Sequence, residues 1–306
     1  MQHTLKTDIK LTGVGLHSGQ NIELTLRPAD AGTGISFVRI DVADKAQQRI
    51  EARWDNVVDT QLCTVIANTH DVRVGTVEHL MSAFAGCGVD NVTIELNGSE
   101  VPIMDGSAKV FVEAIEKAGT VQQDIPRRAI KVLKEVCVEH DGKTVCLRPS
   151  DSQAFTGQIE FDHPVIGTQS FETELVNGNF KHDIAEARTF GFLHEVEWMR
   201  SQGLALGGSL DNAIVLDGDG VLNPEGLRSQ DEFIRHKILD AIGDLYLAGG
   251  PILGTYDGFK SSHALNNKIL CALFADSEAW AYQDMVDVSE LLVSDTAESH
   301  KACVQA

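Results

Sequence analysis

The sequence predicts an α+β protein made of two pseudo-repeated sheet-plus-helices domains packed as a sandwich. Three observations carry that prediction. A short block recurs, as Leu26-Arg27-Pro28-Ala29-Asp30 and again as Leu147-Arg148-Pro149-Ser150-Asp151. Each block is flanked by segments whose apolar residues alternate, the period-two signature of half-buried strands. Each half then continues in the order helix, strand, helix, as an internal duplication would.

In the first half, Ile22, Leu24 and Leu26 alternate, and the strand Ile35-Ser36-Phe37-Val38 follows a glycine-containing turn. Thr76 is expected to N-cap a helix. Val77, Leu80, Met81 and Phe84 follow at helical spacing, with Gly86 or Gly88 as the stop. Val92-Thr93-Ile94-Glu95-Leu96 reads as the next strand. Val110, Phe111, Ala114, Ile115 and Ala118 mark a second helix before Gly119. The second half repeats the order. Val145 and Leu147 alternate, and Ile159-Glu160-Phe161 follows Gly157. Ile234, Ile238, Ala241, Ile242 and Leu245 form a helical stripe that ends near Gly249-Gly250. Ile252 to Tyr256 is the strand, and a last helix runs from about Ala264 to Ala275. The polar stretch Gly119 to Pro126 is the expected linker, which places the domains at 1–125 and 126–300. Two insertions interrupt the repeat, from about Val42 to Val74 and, more apolar, from about Arg188 to Leu222. The last ten or so residues are small and polar and are expected to fray.

Length and composition bound the function. With 306 residues, 43% of them hydrophobic, two packed halves can be filled and global disorder is excluded. No stretch has the apolar length needed to span a bilayer. The N-terminal run MQHTLKTDIKLTGVGLHSG lacks the apolar core of a signal peptide, so a cytoplasmic protein is expected. The six cysteines form no C-x-x-C pair; a disulfide framework is not expected, and the thiols read mostly as small buried hydrophobes. A formal net charge of −20 argues against nucleic acid as a partner. A small anionic substrate would need basic residues gathered locally.

Three local patterns carry chemistry. His236 and Asp240 stand four apart in Arg235-His236-Lys237-Ile238-Leu239-Asp240, so a helix puts both on one face. Imidazole nitrogen and carboxylate oxygen both suit zinc. A solvated helix face describes the same pair equally well. Glu78-His79 opens the corresponding first-half helix and could supply a base beside a ligand, as in H-E-x-x-H hydrolases. Ala83 stands where that motif would have its second His. His263 follows Ser261-Ser262 in a loop before a helix, where catalytic groups often sit and where lone histidines are often simply exposed. Asp244, one turn beyond Asp240, could orient His263 and keep it protonated.

Taken together with Gly13-Val14-Gly15-Leu16-His17-Ser18-Gly19, Thr76 to Ala83, Pro102-Ile103-Met104-Asp105-Gly106-Ser107 and Ala187-Arg188-Thr189-Phe190-Gly191-Phe192, these patterns run in order along nearly the whole chain. The sequence resembles the UDP-3-O-acyl-N-acetylglucosamine deacetylases of Gram-negative bacteria. The resemblance implies zinc-dependent removal of the N-acetyl group from an acylated UDP-N-acetylglucosamine in lipid A synthesis. It makes His79, His236 and Asp240 the zinc ligands, leaving a fourth position for water. Glu78 is then the general base and His263, held cationic by Asp244, the general acid. The Thr189 hydroxyl would stabilise the oxyanion. Lys237 would offset substrate negative charge.

Substrate contacts are expected at Lys143 and Lys260 for the diphosphate and Phe161 for stacking on uracil; surface lysines and a sheet-core Phe describe them equally well. The second insertion would hold the acyl chain, with Phe190, Phe192, Val196, Met199, Ala205 and Val215 as apolar lining and Gly208 allowing close approach. Three other readings stay open: a zinc amidase for another N-acyl substrate, a catalytically silent sugar-nucleotide binder, and a nucleic-acid binder. The last is suggested by small α+β halves that resemble a domain found in a ribosomal protein, and the net charge opposes it.

Overall fold

Two sheets share one strand order. In the first, Ile9–Val14, Asn21–Pro28, Val92–Leu96, Ile35–Arg39 and Arg49–Glu51 lie side by side. In the second, the matching run is Val136–His140, Lys143–Arg148, Ile252–Phe259, Gln153–Glu160 and Thr168–Glu174. Each central strand is antiparallel to one neighbour and parallel to the other. The second sheet is extended by Arg128–Val132 and Trp280–Asp284. The computed structural model describes residues 1–176 and 178–285.

A parallel pair needs a long crossover between its strands. In each half that crossover carries the insertion and then a helix. Helix α1 (Glu78–Cys87) precedes Val92–Leu96, and α2 (Lys109–Ala118) follows it. The second insertion holds α3 (Leu193–Ser201) and the small sheet Phe190–Phe192, Ile214–Asp217 and Gly220–Val221. Then come α4 (Glu232–Tyr246), before Ile252–Phe259, and α5 (His263–Ala275), after it.

Helices α1 and α4 lie against each other, and α4 also packs on the second sheet. One continuous core results. It includes Leu24, Phe37 and Ile94 of the first sheet, Leu80 and Phe84 of α1, Ile238 and Ile242 of α4, and Val145 and Leu147 of the second sheet. The contact between α1 and α4 is close enough to require glycine. A Cβ built on Gly243 would lie 1.9 Å from the Glu78 carbonyl oxygen.

Several expectations are corrected here. Thr76 does not cap α1. Val77 is the N-cap, and the Thr76 hydroxyl donates instead to Glu100 at 3.0 Å. Gly88 ends the helix in the left-handed region at φ 67°, where a residue without Cβ fits. The expected linker is not a plain loop, because Thr120–Gln122 pairs with His3–Leu5. The cysteines are not all buried thiols. Cys137 and Cys146 stand directly opposite each other across a strand pair and are joined as a disulfide. Cys63 is buried and Cys271 exposed. Cys303 and the polar tail lie outside the described residues.

The Gly243 contact can be tested directly. Gly243→Ala must push main chain against main chain, and overpacking of this kind costs roughly 1–3 kcal/mol. We expect a lowered melting temperature in calorimetry and at least a tenfold loss of kcat, because Glu78 moves with the α1 backbone. Wild-type values of both would show that α1 and α4 can separate without harm.

Candidate active site

The packing of α1 on α4 gathers the polar residues singled out from the sequence. Glu78 and His79 occupy the first turn of α1. His236, Asp240 and Asp244 succeed one another at intervals of four along α4 and therefore share a face. Each of the five is at most 4% exposed. So many buried polar groups require internal partners or an ion.

The partners of Asp240 point to an ion. Its Oδ1 lies 3.5 Å from His79 Nε2 and 3.4 Å from His236 Nε2, and among the described residues it has no hydrogen-bond partner. All three ligand atoms lie within 4.8 Å of one another. Metal bonds of about 2.1 Å in a tetrahedral site give ligand-to-ligand edges of about 3.4 Å, the separation found between Asp240 and each imidazole.

The surroundings prepare these atoms for coordination. His236 Nδ1 donates to the Ala187 carbonyl at 3.0 Å, which turns the Nε2 lone pair inward. Burial pushes the His236 imidazole down to about 3, so the ring is neutral. Burial would raise the Asp240 carboxyl, but the charges around it, the Lys237 ammonium among them, hold it well below the usual carboxylate range. Lys237 Nζ donates to the other Asp240 oxygen at 2.9 Å. The donor set of two imidazoles and one carboxylate fits a divalent metal.

A second group sits beside the first. His263, the first residue of α5, donates from Nδ1 to Asp244 Oδ2 at 2.8 Å. Asp244 also accepts from Asn266 Nδ2 at 2.9 Å and from the Thr64 hydroxyl at 2.5 Å. The other imidazole nitrogen, Nε2, lies 3.8 Å from Glu78 Oε1, and Glu78 Oε2 accepts the Thr64 N–H at 3.1 Å. Burial alone would depress the His263 imidazolium, but Asp244 and Glu78 outweigh it and raise its pKa to about 9. Burial raises the Glu78 carboxyl above its ordinary value. A carboxylate made more basic and an imidazole held protonated thus face the same point, an arrangement suited to moving one proton in and one out.

Thr189 lies two residues beyond the Ala187 carbonyl that orients His236. The loop carrying both is pinned to α4 by Arg188, which is 2% exposed and pairs with Glu232 at 2.9 Å and Glu225 at 2.7 Å. Beyond Thr189 opens a cavity of about 380 Å³. Phe190, Val196, Met199, Ala205, Gly208 and Val215 line it, joined by Leu16 and His17 from the first half. Phe192 packs against Phe161, His163 and His194.

Phe161 meets Phe190 edge-on at 5.9 Å. Lys143 and Lys260 come together at one end of the second sheet, because Thr144 pairs with Phe259. Lys260 is already paired with Glu160 at 2.8 Å. Sequence reasoning missed Thr64, Asn266, Glu232 and Glu100. Only Asn266 carried a usable signal, standing three residues after His263 on one helical face.

Comparison with known proteins agrees with this geometry. The profile described as UDP-3-O-acyl N-acetylglycosamine deacetylase matches residues 2–275. The chain belongs to this family. It is 49% identical over 295 residues to the UDP-3-O-acyl-N-acetylglucosamine deacetylase of Pseudomonas entomophila, covering 96% of each chain. It is also 49% identical over 293 residues to that of Neisseria meningitidis serogroup A, covering 95% of each. Among the described residues no helix is long and apolar enough to cross a membrane.

If the three ligand atoms hold one ion, their contributions are interdependent although they come from two halves of the chain. His79→Ala should reduce bound metal as strongly as His236→Ala or Asp240→Ala, read by atomic spectroscopy on purified protein. Full metal content in His79→Ala would remove α1 from the metal centre.

Proposed function

We propose that this chain is a cytoplasmic zinc-dependent deacetylase of lipid A biosynthesis. It hydrolyses the N-acetyl group of UDP-3-O-acyl-N-acetylglucosamine, releasing acetate and the free 2-amino sugar. The observation that carries the reading is the convergence of two imidazoles, a carboxylate oxygen set between them and an acid–base pair in one buried cluster of a family member.

In this reading His79, His236 and Asp240 hold the zinc. When bound, zinc supplies Lewis acidity that polarises the acetamide carbonyl and the water that attacks it. Glu78 takes a proton from that water as its oxygen bonds to the carbonyl carbon. Its raised pKa suits it to the task, since a base near the operating pH accepts a proton most readily. The Thr189 hydroxyl donates to the oxyanion that forms. His263 Nε2 delivers a proton to the amide nitrogen as the C–N bond breaks, and so makes the amine a competent leaving group. Asp244 acts through His263, fixing the ring by its Nδ1 hydrogen bond.

Lys237 keeps a cation next to the cluster and lies 5.8 Å over the Phe190 ring. It is our candidate for the substrate's negative charge near the sugar. Lys143 and Lys260 are candidates for the diphosphate and Phe161 for uracil. The cavity of about 380 Å³ supports the acyl-chain role of the second insertion, because it is walled mainly by apolar side chains and starts beside Thr189. We take the two domains to divide near residue 125.

The reading is tested by chromatography with mass detection of the deacetylated product. Wild-type protein should form it, chelator should abolish the activity, and zinc should restore it. Glu78→Gln should keep its metal and lose roughly 10²–10⁴ of kcat, the usual worth of a general base. Loss of metal from Glu78→Gln would make Glu78 a ligand and sink the assignment.

The pH profile follows from the same groups. Glu78 must be ionised and His263 protonated, so kcat/KM should rise through the elevated Glu78 pKa and fall above about 9. Asp244 favours the protonated ring, so Asp244→Asn should move the falling limb to lower pH. A profile unmoved by that change would leave His263 without its partner.

A further inference from the structure

Glu100 is a carboxylate only 4% exposed, and among the described residues it has no ion-pair partner. Three neutral donors hold it instead. Oε1 accepts the His17 N–H at 2.9 Å and the Thr76 hydroxyl at 3.0 Å, and Oε2 accepts the Ser18 N–H at 3.0 Å. A polar side chain so buried, with three donors gathered on it from two separate segments, calls for a reason beyond packing.

Its neighbours supply one. The segment around Glu100 is threaded between two parts of the first half. On one side the Gly75 N–H bonds the Ser99 carbonyl at 2.9 Å, and the Val101 N–H bonds Gly75 at 3.0 Å. On the other side the Ile103 N–H bonds Val14 at 2.9 Å. The side chain therefore reaches both the Gly15–Ser18 turn and the residue that leads into α1.

The turn is a wall of the apolar cavity. Leu16 and His17 line it, and their carbonyls accept the N–H groups of Gly207 at 3.0 Å and Leu206 at 3.3 Å, between the cavity residues Ala205 and Gly208. The turn fits only without a side chain at Gly15, where a Cβ would lie 2.3 Å from Ser18 Oγ and 2.5 Å from Glu100 Oε2. On the other side, Thr76 stands at φ 55°, a left-handed conformation unusual for a β-branched residue, two positions before Glu78. Such a conformation persists only where surrounding contacts enforce it, and the hydroxyl bond to Glu100 is one.

We propose that Glu100 is a positioning residue. It locks the cavity wall to the start of the helix that bears Glu78 and His79, and thereby sets how strongly turnover depends on acyl-chain length. The proposal rests on the acyl-cavity reading above. Glu100 touches neither the metal ligands nor the cavity; it acts through the backbone of His17 and Ser18 and through Thr76. Without it the wall is no longer held in register with the reacting atoms, and a chain in the cavity no longer orients the acetamide.

The test compares kcat/KM for UDP-N-acetylglucosamine carrying long and short 3-O-acyl chains, using zinc-loaded wild type, Glu100→Gln and Gly15→Ala. Gln presents an N–H₂ group where a backbone N–H needs an acceptor. Gly15→Ala displaces the carboxylate without changing its chemistry, and so stands in should the first variant fail to fold. The ratio of long- to short-chain kcat/KM does not depend on the fraction of folded enzyme, so mere destabilisation leaves it unmoved. We expect it to fall about tenfold in both variants, mainly through KM, with bound zinc unchanged, the loss of about one charge-assisted hydrogen bond. A wild-type ratio in either variant overturns the role of Glu100. Absence of chain-length preference in wild type overturns the acyl-cavity reading itself.

Discussion

The closeness of α1 to α4 is the constraint on which the rest depends. Neither helix carries a complete set of groups. Glu78 and His79 are at the start of one, and His236, Asp240 and Asp244 run along the other. Only when their backbones nearly touch, as Gly243 allows against the Glu78 carbonyl, do the imidazoles of His79 and His236 reach the same oxygen of Asp240. The core on both sides then serves to hold that distance. Tenths of an ångström matter there, because ligands and proton donors act over fixed lengths.

Burial in this cluster sorts the titratable groups into different states. The same removal from water that keeps His236 neutral raises Glu78. His263 escapes that trend because two carboxylates face its ring. Two histidines of one cluster are thus suited to opposite tasks, one offering a lone pair and the other a proton. The difference lies in the neighbours, not in the residue type.

Much of the fold was legible because both periodicities are local. Alternation along Ile22 to Leu26 and the helical stripe from Ile234 to Leu245 each report one element. His236 and Asp240 were legible as a pair for the same reason, four residues on one helix. His79 could join them only through helix packing, which no spacing encodes; the resemblance to a family supplied it. The corrections share that cause. Thr76 has the residue type of a cap, but its acceptor is Glu100, distant in sequence. Cys137 and Cys146 meet through hairpin register.

The repeated strand order is what fusion of two copies of a shorter chain would leave. Two copies of such an ancestor would associate about a two-fold axis, and symmetry would oblige both to present the same helix with the same side chains. Any substitution on that helix would have appeared twice. Joining the copies in one polypeptide removed the obligation. One helix could then keep a single imidazole and a base, while its counterpart took an imidazole and two carboxylates. An unequal division of labour across a once-equal contact is what covalent fusion of the two copies made available.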